Sequence, residues 1–122
     1  MRILGVDTST SCGSLGITDE DEVVAEYALF RDETHSARLV PAIQALLRET
    51  RLGLDEIDGI AVSLGPGSFT GLRVGLSAVK GLALATERPV VGVPTLDAIA
   101  SNLPFTPYVI CPLVDARKGE VY

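Results

Sequence analysis

Short apolar-rich runs broken by polar turns open the chain, and they predict strands, whose side chains have a period of two, over Arg2 to Asp7, Gly13 to Thr18 and Val23 to Phe30. Polar turns separate them, so the expectation is a three-stranded meander. The period then lengthens. After Asp32-Glu33-Thr34-His35-Ser36, residues Leu39, Ile43, Leu46, Leu47 and Thr50 fall on one helical face, with Arg38, Gln44, Arg48 and Arg51 over much of the rest. Ser36 suits an N-cap, whereas Pro41 removes an amide and predicts a bend or a start nearer Leu39. A β-branched run from Ile57 to Ser63 reads as a buried strand, followed by a long apolar helix from Thr70 to Ala85. Pro89 to Val93 predicts another strand, and Thr95 caps a short helix through Ala100. Beyond a Pro104/Pro107 linker, Tyr108 to Val114 reads as a strand and Asp115 to Gly119 as a hairpin turn.

The long helix is apolar nearly all round. Leu72, Leu76, Val79 and Ala83 form one stripe; Gly71, Gly75, Ala78 and Leu82 form a second, smoother one. Such a helix needs cover on more than one side, and small residues permit close helix–helix approach. Either the first helix supplies all of that cover or a partner subunit does. The partner-interface candidates are Leu39, Ile43, Gly71, Val74, Gly75, Leu76, Ala78 and Leu82.

Between strand and helix lies Ser63-Leu64-Gly65-Pro66-Gly67-Ser68-Phe69-Thr70-Gly71-Leu72-Arg73. Glycines let a backbone or ligand come close, and helix-start amides attract anions, which makes Gly65, Gly67, Ser68 and Thr70 candidates for phosphate binding. The loop lacks the lysine and Ser/Thr pair of a P-loop, and its glycine spacing is too long for the dinucleotide fingerprint. A tight turn with close helix packing is the alternative. Arg73 sits in the helix's first turn, where the dipole disfavours a cation, so it pairs with an acid such as Asp7 or with a bound phosphate. Asp7 and Thr8 open the first hairpin, where Asp7 can hydrogen-bond its own turn.

The same stretch resembles the signature of the TsaB (YeaZ) family. Ile3-Leu4-Gly5-Val6-Asp7-Thr8-Ser9-Thr10, His35-Ser36 and Asp115-Ala116-Arg117-Lys118-Gly119-Glu120-Val121-Tyr122 agree with that family in the same order, so the resemblance spans the whole chain. It implies an α/β fold: an actin/Hsp70/sugar-kinase-like (ribonuclease H-like) half-domain with a mixed five-stranded sheet, in the order β-β-β-α-β-α-β-α. Residues 1–104 would form the first actin-like lobe and 105–122 the start of a second, truncated one. The implied function is a non-catalytic scaffold that dimerises with, and activates, the TsaD transferase in tRNA threonylcarbamoyladenosine synthesis. A TsaE-type ATPase would be a further partner, tRNA would be met only through the complex, and the chain alone would form a homodimer. No cofactor is expected on the isolated chain; ATP or ADP at the subunit boundary is the one candidate. Arg117, with Lys118 beside it, is expected to face the cleft between lobes. The superfamily usually has glycine directly after the first acid, and Thr8 stands there instead, which puts independent ATP hydrolysis in doubt.

Composition narrows the choice. With 47% hydrophobic residues the chain is no disordered segment, and net charge −6 without any Lys/Arg cluster argues against direct nucleic-acid binding. Lys80 interrupts the longest apolar run, so no membrane span is expected, and an acid at position 7 leaves no signal-peptide core, which points to the cytoplasm. Cys12 and Cys111 are expected as buried free thiols. Asp19-Glu20-Asp21-Glu22 reads as a solvated hairpin loop rather than a metal site. His35 is the sole histidine and is expected to hydrogen-bond at the helix entry. Two rivals remain, an ATP-dependent small-molecule kinase and a glycoprotease-type peptidase; the latter lacks an evident nucleophile–base pair.

Overall fold

A computed structural model of the chain describes residues 1–30 and 35–122, without the side chains of residues 29, 30 and 35–37. The expected roles of Ser36 as cap and His35 at the helix entry therefore lie outside the described residues. Strands β1 (Arg2–Asp7), β2 (Cys12–Asp19) and β3 (Glu22–Phe30) form the antiparallel meander. Helix α1 (His35–Thr50) leads through a 3-10 turn at Leu54–Glu56 to β4 (Gly59–Gly65), then α2 (Phe69–Thr86), β5 (Val90–Pro94) and α3 (Thr95–Ala100). The sheet order is β3-β2-β1-β4-β5, with β4 parallel to both β1 and β5. This is the mixed five-stranded half-domain that the family resemblance implies.

Register decides which residues form the core. Ile17, Leu4 and Ile60 lie side by side across β2, β1 and β4, and Leu15, Val6 and Val62 form the next row. All six are buried. Alternation puts Gly16, Gly5 and Ala61 on the opposite face. Helix α1 closes the core with Leu39, Ala42, Ile43, Leu46 and Leu47, and α2 contributes Val79. Positions 39, 42, 43, 46 and 47 follow the i, i+3, i+4, i+7 spacing of one helix face, which is why the amphipathic pattern was readable. Thr50 ends that face by donating its hydroxyl to the Leu46 and Leu47 carbonyls at 2.8 and 3.0 Å.

Four expectations are corrected. Helix α1 begins at His35, earlier than Leu39, with Pro41 inside it; that proline is exposed, where water can take up the carbonyl its missing amide leaves free. Tyr108 to Val114 is not a strand. An apolar run becomes a strand only with a ladder partner, and Tyr108 and Val109 are 81% and 97% exposed with none. Only the short ribbon of β6 (Asp115–Arg117) and β7 (Glu120–Val121) forms, beside Val114 and Tyr122, which exchange backbone hydrogen bonds. Cys111 is consequently exposed, whereas Cys12 is half-buried. Thr95 is not the cap of α3: Pro94 holds that position and supplies no side-chain bond.

The acidic hairpin loop has a charge partner. Arg2 Nε donates to Asp19 at 3.0 Å and Arg2 Nη1 to Glu56 at 3.0 Å, tying the β2–β3 corner to the 3-10 turn. The Met1 ammonium lies 3.3 Å from Asp19 and 2.5 Å from Glu20. Hydrogen bonding from Arg2, then from the ammonium, holds the Asp19 carboxyl below its ordinary range. A depressed folded-state pKa gives stability that is present above the unfolded value and lost as pH falls through the folded one. Arg2→Ala is therefore expected to flatten the acid limb of a stability-versus-pH curve below about pH 4, where an unpaired aspartate already titrates. The effect should be small and shrink in high salt, since these groups are solvent-exposed. Urea titrations of both proteins across that range would show it.

Candidate functional site

The β1–β2 turn and the start of α2 are locked together. Asp7 Oδ1 accepts from the Ser9 amide at 2.8 Å, so its carboxylate folds its own turn. Thr8 is fully buried; its hydroxyl donates to the Gly71 carbonyl at 2.7 Å and its amide to Ser63 Oγ at 3.4 Å. The Ser68 amide donates to the Ser9 carbonyl at 2.6 Å. Against this turn lie Gly67, in the loop just before α2, and Gly71 and Gly75, four residues apart on one side of the helix. A Cβ on Gly67 would run into the Ser9 backbone, on Gly71 into the Thr8 carbonyl, and on Gly75 into the Thr8 hydroxyl. The glycines thus serve close packing. Gly65 is required separately for its φ of 103°, in a region that side chains rarely adopt.

Beyond this seam opens a cleft of about 670 Å³ between the turn, the first residues of α2 and the β6 ribbon. Ser68 caps α2, its Oγ accepting from the Gly71 amide at 3.1 Å, which leaves the amides of Phe69 and Thr70 as first-turn donors that no side chain caps. Ser9 borders the cleft at 1% exposure, and its Oγ has no hydrogen-bond partner. Arg117 stands on the ribbon wall; its amide, not its guanidinium, bonds Asp115 Oδ1 at 2.7 Å. These donors fit an oxyanion. Asp7 and Thr8, turned into the seam, do not contribute to it, so of the nucleotide candidates Ser68, Thr70 and Arg117 border the cleft together with Gly67.

A second concavity, about 530 Å³, runs between α1 and α2 and is bordered by Val40, Thr70, Arg73, Val74, Ser77 and Ala78, with Leu39 at its base. Arg73 lies here with its guanidinium 5.4 Å from the Phe69 ring centroid, a cation–π stack one turn apart. Among the described residues it makes no ion pair with Asp7, and the Phe69 ring takes the place of the expected Asp7–Arg73 contact. Among the proposed interface residues, Leu39 and Ile43 belong to the chain's own core, and Gly71 and Gly75 are buried against Thr8. Val74, Leu76, Ala78 and Leu82 are half-buried and pack against the core's edge. The exposed members of this face that sequence reasoning missed are Val40 (43% exposed), Phe69 (75%) and Leu84 (85%). Ser9 was also missed; only its place beside Thr8 in the first hairpin hinted at it. No group of His, Cys, Asp and Glu suited to a metal occurs among the described residues, and no helix there is long and apolar enough to cross a membrane.

A meander extended by parallel strands, with a helix start facing the cleft at their ends, defines an actin- and ribonuclease H-like half-domain. Thermus thermophilus RuvC shares the fold alone, at a TM-score of 0.56 and 15% identity over 79% of this chain and 65% of that one. Residues 23–122 match the sequence model of the family described as TsaD: tRNA N6-adenosine threonylcarbamoyltransferase. The tRNA threonylcarbamoyladenosine biosynthesis protein TsaB of Bacillus subtilis is 37% identical over 100% of this chain and 53% of that protein. Its Escherichia coli counterpart is 38% identical over 100% and 53%. YeaZ from Pseudomonas aeruginosa superposes with a TM-score of 0.87 at 34% identity, covering 98% of this chain and 57% of that one. The chain belongs to the TsaB/YeaZ family and spans about half the length of the curated relatives it matches.

The seam and the far end of α2 make opposite forecasts for one substitution. Gly71→Ala is expected to destabilise by about 1–3 kcal/mol, because a backbone carbonyl cannot yield to the new methyl, even though alanine favours helix. Gly81→Ala meets nothing within 4 Å and should stabilise by roughly 0.4–1 kcal/mol. Urea midpoints of the two variants, moving in opposite directions from the parent, are the readout.

Proposed function

We propose that this chain is a non-catalytic, TsaB-type subunit that docks through the α1–α2 face onto a TsaD-type transferase in tRNA threonylcarbamoyladenosine biosynthesis. The supporting observation is the groove between α1 and α2, with apolar Val40, Val74 and Ala78 in it and the Arg73–Phe69 stack at its mouth. Arginine and aromatic residues are frequent anchors in interfaces, and a helix laid along such a groove would cover them. The match to a family described as a tRNA threonylcarbamoyltransferase, and relatives named for tRNA threonylcarbamoyladenosine biosynthesis, support a transferase of that kind as the partner. In this reading the transferase holds the chemistry and the tRNA, and a TsaE-type ATPase joins the assembly. The chain works in the cytoplasm, and without the transferase it pairs with a second copy through the same face, since an isologous contact closes one self-complementary patch.

Support for a kinase is weaker on a specific point. Asp7 and Thr8, the residues that would have to meet a nucleotide, already hold the Ser9 amide and the Gly71 carbonyl.

Ser77→Glu places a charge on an exposed groove position outside the core. It is expected to leave the unfolding midpoint near the parent's while weakening capture by a TsaD homologue, and self-association, by at least about tenfold, as a desolvated unpaired charge should. Light scattering of the chain alone and titration against the immobilised transferase would measure both. Undiminished capture of Ser77→Glu, or no capture of the parent chain, contradicts the reading.

A further inference from the structure

We propose that the α1–α2 face selects an acidic partner: a protein helix whose apolar side fills the groove and whose flanking carboxylates answer the cations of α1 and α2. This rests on the docking reading above and adds the chemistry that the partner must show. Charge is divided unevenly along the chain. It holds 10 Lys and Arg against 16 Asp and Glu, yet α1 and α2 together hold Arg38, Arg48, Arg73 and Lys80 against the single acid Glu49. Everything outside these two helices therefore carries six cations against fifteen carboxylates. A net-negative molecule thus presents a helical layer of opposite sign. Arg48, Arg73 and Lys80 are all exposed, and none of the three has a carboxylate partner among the described residues.

Arg73 fixes the place of one incoming carboxylate. It borders the groove, and the Phe69 ring, with its centroid 5.4 Å from the guanidinium carbon, steadies that group without neutralising it. Its N–H donors have no acceptor among the described residues, which suits a bidentate carboxylate pair. Two other occupants fit less well. A second copy would bring the same cations against themselves, so self-pairing through this face is the weaker contact and should strengthen as salt screens it. RNA would find apolar Val40, Val74 and Ala78 in the groove where its phosphates need donors, and the acidic remainder of the chain would repel it.

Titration of the full chain against an immobilised TsaD homologue, at about 50 mM and about 500 mM salt, tests the charge. Capture should weaken by about tenfold or more at the higher salt, whereas self-association followed by light scattering should strengthen. Charge sign at one exposed groove position separates attraction from desolvation. Ser77→Lys should be captured at least about tenfold more tightly than Ser77→Glu, although both bury a charge. Arg73→Gln should lose about tenfold, the worth of one hydrogen bond to a charged group, and Arg73→Glu more. Unfolding midpoints should stay near the parent's, since both positions are exposed. Capture indifferent to salt, with Ser77→Lys and Ser77→Glu equal, would overturn the acidic partner while docking itself stands. No capture of the parent at either salt would overturn docking and the acidic partner together. Binding of purified tRNA by the chain alone, abolished by Arg73→Gln, would overturn the assignment in favour of nucleic acid.

Discussion

Close approach of the Thr8–Ser9 turn to the glycine side of α2 is the contact on which the other features depend. It brings the carboxyl ends of β1 and β4 and the amino end of α2 to one place, with the Thr8 side chain set directly against Gly71 and Gly75. The chain leaves β1 toward β2 on one side of the sheet and leaves β4 through α2 toward β5 on the other. A crevice must then open outside the strand ends, as it does in open α/β sheets generally. The same contact sets the azimuth of α2. With Gly71 and Gly75 facing the turn and Val79 the core, Arg73 and Ser77 have nowhere to point but outward, beside α1.

Much of this was legible from residue pattern. The meander, the amphipathic face of α1 and the strand–turn–helix unit around Gly65 follow from period and turn chemistry, which act locally. Family resemblance supplied the superfamily. What pattern could not supply was the direction of each glycine. Gly71 and Gly75 form a smooth stripe whether they face a partner helix or a hairpin 63 positions earlier in the chain, and only the tertiary arrangement shows that Thr8 fills them. Leu39 and Ile43 were ambiguous for the same reason, since core and interface positions share one composition. Tyr108 to Val114 failed differently: its residues suit a strand, but pairing is a property of two segments.

The two concavities divide the chain's chemistry. The α1–α2 groove is mainly apolar with an arginine at its mouth, whereas the cleft at the helix start sets Ser9, Thr10, Ser68 and Thr70 against Ile99, Leu113 and Val114. Thr70 touches both, lying between Phe69 and the exposed face that carries Arg73. A ligand in one and a protein on the other would thus share a single turn of α2 as their common wall.

The sheet ends in two unpaired edges, β3 and β5. Neither invites a stray chain to add itself. Strand β3 carries Glu22 and Glu26 and is bent by an irregularity opposite Ile17 and Thr18, so an incoming strand would meet charge and a broken register. Strand β5 is apolar, with Val90 and Val91 half-exposed, but Pro89 precedes it and Pro94 ends it. Prolines at both limits leave a ladder only a few residues long, too short a template for the stacked growth that turns a valine-rich edge into a fibril.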